Sequence, residues 1–185
     1  MNDVADKTKK ARALESRIKE TIRDIPDFPE EGILFRDITT VLHDNELFRE
    51  VTNHLTERYR GQEIDHIAAI ESRGFIFGAA LAHDLGASMS LVRKPGKLPR
   101  EHYRVEYELE YGTDALELHK DATAPGSNVV IVDDLLATGG TCAAAIELVE
   151  KCGANVVESA FLIELSDLNG RARFPDHDVY SLAIY

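Results

Sequence analysis

Val129-Val130-Ile131-Val132-Asp133-Asp134-Leu135-Leu136-Ala137-Thr138-Gly139-Gly140-Thr141 decides how this chain is read. Val129–Val132 is a run of β-branched residues, suited to a strand buried on both faces of a parallel sheet. The expected strand ends in two carboxylates, Asp133 and Asp134, and a loop of small residues then leads into a helix from about Gly140 to Cys152. Ile146 and Val149 would share one face of that helix, and Gly153 would cap it. In open α/β sheets, ligands bind at the carboxyl ends of the strands. The loop from Ala137 is therefore a candidate anion cradle. Backbone N–H groups of Thr138, Gly139, Gly140 and Thr141 would be aligned with the helix dipole, and the two threonine hydroxyls add donors. Asp133 and Asp134 can accept hydrogen bonds from a diol such as ribose, or help to hold Mg²⁺ through water. Other phosphate loops do not fit: no lysine follows Gly140, as a Walker A loop needs, and G-x-G-x-x-G is absent. A ribose 5-phosphate site remains.

Working outward, strands and helices alternate. His66–Ile70, Ser88–Arg93, Asn155–Leu165 and Val179–Ile184 read as strands, and Phe75–Leu85 as a helix closed by Gly86. Strands separated by helices of this length predict βαβ units and a parallel sheet covered on both faces. Upstream, Ala11, Leu14, Ile18 and Ile22 mark an amphipathic helix over 4–23, and a second helix is expected over 45–60. Pro26-Asp27-Phe28-Pro29-Glu30-Glu31-Gly32 separates the two as a turn. The interval 94–121 breaks the alternation. It starts polar and basic, then alternates through Tyr103, Val105, Tyr107 and Leu109, with Tyr111-Gly112-Thr113-Asp114 as a turn before Ala115-Leu116-Glu117-Leu118. This predicts a hairpin flap projecting from the sheet, a length of loop commonly used as a lid.

Composition narrows the partners. With 185 residues, 44% hydrophobic and 29% charged, the chain is long enough for one well-cored domain. Its net charge of −12 repels phosphate backbones and anionic lipid, so neither nucleic acid nor a membrane is expected as a partner. A local basic pocket could still take a small anion. Cys142 and Cys152, ten residues apart, read as buried reduced thiols rather than a disulfide. No apolar stretch reaches membrane-span length and no signal-peptide core is seen, which makes the cytoplasm the expected location. None of the seven histidines pairs at i, i+4, and Cys-x-x-Cys is missing, so zinc is not expected.

The Val129–Thr141 stretch resembles the phosphoribosyl diphosphate motif of the type I phosphoribosyltransferases. Its neighbours narrow the resemblance to the adenine-using members. These are Phe35-Arg36-Asp37-Ile38, Glu71-Ser72-Arg73-Gly74-Phe75, Arg93-Lys94-Pro95-Gly96-Lys97-Leu98-Pro99 and Leu109-Glu110-Tyr111-Gly112, in this order. The resemblance runs from about Ile25 onward. It implies an α/β fold: a twisted, mainly parallel sheet flanked by helices, with a small N-terminal hood and a flexible flap. One domain over 1–185 is expected, with a helical extension over 1–24, a base-binding hood over 25–40 and the flap over 94–121.

The same resemblance distributes roles. Asp133, Asp134 and the loop Ala137–Thr141 would take the ribose and 5-phosphate, while Ser72, Arg73, Lys94 and Lys97 would take the diphosphate, the lysines across a dimer interface. Arginine suits bidentate phosphate recognition, which gives Arg73 an independent reason for its place. Phe35 would stack on one face of adenine and Leu165 pack on the other, with backbone groups of Leu34 and Arg36 reading its edge. An unpaired polar edge is what rejects a 6-oxo purine. Glu110 would be the acid or base acting on the purine as the flap closes, and Tyr111 would screen the reaction from water. Mg²⁺ would arrive with the donor, and a homodimer is implied. Three alternatives stay open at this point: a relative that uses a 6-oxo purine, a non-catalytic sensor of the donor, and a diphosphokinase that makes the donor, which shares the ribose-phosphate motif but gives no reason for Phe35-Arg36 and the flap.

Overall fold

The computed structural model describes residues 2–109 and 112–185. Its centre is a five-stranded sheet built from β3 (His66–Ile70), β4 (Ser88–Val92), β7 (Asn128–Leu136), β8 (Asn155–Glu164) and β9 (Val179–Ile184), in the order β4-β3-β7-β8-β9. Every neighbouring pair is parallel. The helices are α1 (Asn2–Thr21), α2 (Thr39–His43), α3 (Asn45–Tyr59), α4 (Gly74–Leu85) and α5 (Gly140–Lys151). Two antiparallel hairpins complete the fold: β1 (Arg23–Pro26) with β2 (Leu34–Asp37), and β5 (His102–Leu109) with β6 (Gly112–His119).

Side-chain alternation along the strands divides the core in two. Ile67, Val130 and Val132 face the helices α1, α3 and α4, meeting Ile18, Leu47, Val51, Leu55, Phe77 and Leu81. Ala68, Ile70, Val129 and Ile131 face the other way, toward Ala145, Ile146, Leu148 and Val149 of α5. Leu14, Ile18 and Ile22 are buried, so the expected stripe of the first helix is its core face. Gly86 closes α4 at φ +68°, the left-handed cap its position called for. Asp44 caps α3, its carboxylate accepting from the amides of Glu46 and Leu47 at 3.0 Å each. One part-buried ion pair bolts α3 to β8: Arg58 donates to Glu158 at 2.6 and 2.5 Å, and the Tyr59 hydroxyl donates at 2.6 Å.

Four expectations are corrected. Asp133 and Asp134 do not end their strand; β7 runs on to Leu136, because Leu135 and Leu136 still pair with β8. The flap hairpin does not project. Its alternating residues Val105, Tyr107, Leu116 and Leu118 are buried in the α5-side core. Gly112, Thr113 and Asp114 belong to β6 rather than to a turn, paired with Leu109, Glu108 and Tyr107. The hood segment is a hairpin that starts at Arg23, with Arg23 and Asp24 opposite Asp37 and Arg36. Of the 94–121 segment, Glu110 and Tyr111 lie outside the described residues.

Candidate active site

The carboxyl end of β7 carries the most unusual chemistry in the chain. Asp133 and Asp134 are both buried, and Asp133 Oδ1 accepts from the Asp134 amide at 2.8 Å. Burial and the neighbouring Asp134 charge push the Asp133 carboxyl well above the usual range. Asp134 is raised as well, by burial, although Arg73 opposes the shift. Arg73 reaches it from the start of α4, with Nε 3.0 Å from Asp134 Oδ2. That approach depends on Gly74: a β-carbon there would sit 2.5 Å from the Val132 carbonyl oxygen and 3.1 Å from Asp133 Oδ1.

Beyond β7 the chain turns through Ala137 and Thr138 to Gly139, whose φ of +82° favours glycine, and α5 begins at Gly140. The Gly139 carbonyl accepts from the Ala143 amide at 2.9 Å, so the loop enters the helix directly. Thr138 and Thr141 are half-buried at its rim. The flap crosses this turn closely, since a β-carbon on Gly140 would lie 3.1 Å from both the Glu108 carbonyl oxygen and the Tyr107 ring. Leu165 follows β8, and its amide donates to the Leu136 carbonyl at 2.9 Å. The strand end, the small-residue loop and Leu165 are therefore neighbours.

Above this floor stands the hood. Phe35 is half-buried on β2, in edge contact with Phe28 at 5.1 Å between ring centres. The Arg73 guanidinium lies 5.5 Å from the Phe35 ring centre. Arg73 thus touches the aromatic wall and the buried carboxylates at once. The Arg36 side chain is turned elsewhere, paired with Asp24 and lying 4.1 Å from the Tyr185 ring centre. Leu34 is exposed at the hood's edge.

The basic residues gather around acids. Glu71 accepts from Arg93 Nε and from the Lys94 amide, both at 2.9 Å, and Lys97 Nζ stands 3.9 Å away. Burial would raise the Glu71 carboxyl, but these partners hold it below its ordinary value. Ser72, joined to Glu71 by a cis peptide, is exposed. Lys94 Nζ donates to the Tyr107 hydroxyl at 2.8 Å and to Asp114, both on the flap. Burial works against the Lys94 charge, yet these partners raise its pKa. The structure thus brings Phe35, Arg73 and Asp134 together and ties Lys94 to the flap. Asp114, Tyr107 and Gly170 were missed by sequence reasoning. Asn169-Gly170 is a turn signal that could have drawn attention to the last of these.

Among the described residues no group of three or more His, Cys, Asp or Glu is placed to hold a metal ion. A carboxylate pair of this kind fits Mg²⁺ that keeps waters and substrate oxygens as its remaining ligands. Cys142 and Cys152 are free and buried, and burial pushes the Cys142 thiol up to about 12. No described helix is long and apolar enough to cross a membrane.

Known proteins resemble this chain over most of its length. The phosphoribosyl transferase domain family matches residues 38–184. An adenine phosphoribosyltransferase of Syntrophotalea carbinolica is 57% identical over 165 residues, covering 89% of this chain and 96% of the relative. One of Chloroflexus aurantiacus is 56% identical over 161 residues, covering 87% and 93%. The crystal structure of adenine phosphoribosyltransferase from Thermoanaerobacter pseudethanolicus superposes with a TM-score of 0.89 at 53% identity, over 92% of this chain and 99% of that one. The Saccharomyces cerevisiae enzyme, crystallised with adenine and an imino-altritol bisphosphate, gives 0.87 at 43% identity, over 92% and 99%. With a family match across most of its length and relatives this similar, the chain belongs to the phosphoribosyltransferase family, among the adenine phosphoribosyltransferases.

Proposed function

We propose that the chain transfers the 5-phosphoribosyl group of phosphoribosyl diphosphate to adenine, giving AMP and diphosphate in purine salvage. The observation that carries this reading is Arg73, 3.0 Å from Asp134 and 5.5 Å from the Phe35 ring centre. One guanidinium joins a wall fit for a purine to carboxylates fit for a ribose. In the reaction the C1–O bond to diphosphate breaks, the purine N9–C1 bond forms, and the N9 proton leaves. Ala137–Thr141 hold the 5-phosphate, and Asp133 and Asp134 accept hydrogen bonds from the ribose hydroxyls. Ser72, Arg73, Lys94 and Lys97 neutralise the departing diphosphate, whose growing charge makes fixed cations the largest contribution expected from the protein. Adenine lies between Phe35 and Leu165, with its edge on the backbone of Leu34 and Arg36. Glu110 exchanges the proton at the base, and Tyr111 keeps water out. Mg²⁺, where present, would be held near Asp133 and Asp134 and supplies charge neutralisation on the donor's oxygens.

A homodimer working in the cytoplasm completes the proposal. Supporting it, Leu91 and Ile76 are exposed on the edge strand β4 and the helix beside it. The test is AMP formation from labelled adenine, Mg²⁺ and phosphoribosyl diphosphate, with hypoxanthine, guanine and xanthine as competitors and Glu110→Ala as the variant. Adenine-selective turnover, cut at least tenfold by the variant, is expected. Preference for hypoxanthine, or donor binding without AMP, would overturn the reading.

A further inference from the structure

Successive side chains on a strand point to opposite faces. Phe35 and Arg36 follow this rule on β2: the first meets Arg73 and the second meets Tyr185. Whatever grips Arg36 from behind therefore fixes the angle at which Phe35 is presented. Two groups grip it. Asp24 pairs with it across the hood hairpin, and the Tyr185 ring lies 4.1 Å beneath its guanidinium. Lys19 of α1 also stands over that ring, at 5.6 Å.

The main chain of Tyr185 is fastened on both sides of Leu165. Its amide donates to the Glu164 carbonyl at 2.8 Å. Its carbonyl accepts from the Ser166 amide at 3.0 Å and from the Ser166 hydroxyl at 2.6 Å. Leu165 lies between those two anchors. From this geometry we infer that Tyr185 is a positioning residue for base binding: its main chain fixes the Leu165 wall while its ring fixes the Phe35 wall, setting the gap between them. The inference rests on the assignment of that gap to adenine. The ring is the working part. The Tyr185 hydroxyl is buried without a hydrogen-bond partner among the described residues, whereas the aromatic face attracts the cation.

The test compares wild type with Tyr185→Phe and Tyr185→Leu, measuring kcat and the KM of each substrate, with melting curves to confirm folding. Tyr185→Phe keeps the ring face and is expected to stay within about twofold of wild type. Tyr185→Leu keeps apolar bulk but loses the cation's partner, and its KM for adenine should rise about three- to tenfold. The KM for phosphoribosyl diphosphate should stay within about twofold, because among the described residues the hydrogen bonds and ring contacts of Tyr185 go to Glu164, Ser166, Arg36 and Lys19 and not to the Ala137–Thr141 loop or Lys94. An unchanged adenine KM in a folded Tyr185→Leu protein would overturn the inference. So would an equal rise in both KM values, which is the mark of general loosening. Failure of the underlying adenine assignment shows separately, as wild-type protein that makes no AMP from adenine, and takes the inference with it.

Discussion

Gly139 and Gly170 meet backbone to backbone. A β-carbon on Gly139 would overlap the Gly170 carbonyl, and one on Gly170 would overlap the Ala137 carbonyl oxygen and lie 3.1 Å from the Gly139 amide. The loop proposed to hold the 5-phosphate is thus set by a turn some thirty residues downstream, with no room for a methyl group. Gly170→Ala should displace Ala137–Gly140, raising the KM for phosphoribosyl diphosphate about tenfold or more. Its stability cost should be about 1–3 kcal/mol, as for other overpacked sites. Steady-state kinetics and urea unfolding check both; a folded variant with wild-type donor KM would show that the contact does not shape the loop.

Arg73 has two neighbours that a lysine could not serve together. Its Nε lies 3.0 Å from Asp134 Oδ2 while its guanidinium carbon lies 5.5 Å from the Phe35 ring centre, leaving the other donors of the fork for an anion. Arg73→Lys keeps the charge and loses the fork, and the KM for phosphoribosyl diphosphate is expected to rise about tenfold. Arg73→Ala should cost about a hundredfold, the scale of a lost charge-assisted hydrogen bond of up to about 3 kcal/mol. Equal kinetics for lysine and arginine would mean that only the point charge matters.

These sites were legible in the sequence to different depths. The strand-loop-helix from Val129 and the alternation of strands and helices that makes a parallel sheet follow from local patterns, periodicity and glycine placement, so they could be read directly, whereas the order of the strands in the sheet could not. β9 matches its expected span, Val179–Ile184, residue for residue. The hood hairpin was hidden because its strands, four residues each, are too short to show a period; both carry charges, and β1 ends in a proline. Pairings across the fold left no local trace either. Arg58 finds Glu158 a hundred positions away, and Lys94 finds Asp114 on another element. Sequence supplied which residues hold charge, while folding decided which charges meet.

Asp133 is stable only at a cost. Burial and the charge of Asp134 raise its carboxyl pKa above the unfolded value. Between the unfolded and the folded pKa the native state retains a proton that the unfolded chain has released, so stability falls as pH rises through that window. Asp133→Asn removes this slope while its amide oxygen still accepts from the Asp134 N–H. The variant should gain on the order of 1 kcal/mol at pH 7, a rise of about 2–4 °C in Tm, and nothing near pH 4. It should lose at least tenfold in kcat/KM for phosphoribosyl diphosphate. Melting curves between pH 4 and pH 8 decide the matter, and an advantage confined to low pH would reverse the sign argued here.

Lys94 is already engaged before any diphosphate reaches it. Its ammonium is held by Asp114 and by the Tyr107 hydroxyl at 2.8 Å, and Asp114 is itself fixed by the Ala115 amide at 2.7 Å. A diphosphate that recruits Lys94 has to compete with this carboxylate, and the competition loosens the contact between the flap and the rest of the site. Asp114→Asn keeps the Ala115 hydrogen bond but withdraws the competing charge. The pair is partly exposed, so its strength is modest, about 0.2–1 kcal/mol. The KM for phosphoribosyl diphosphate should therefore fall about two- to fivefold, whereas Lys94→Ala should raise it. If Asp114→Asn instead raises the donor KM, Asp114 holds Lys94 in its binding position and the two carboxylate and diphosphate partners do not compete.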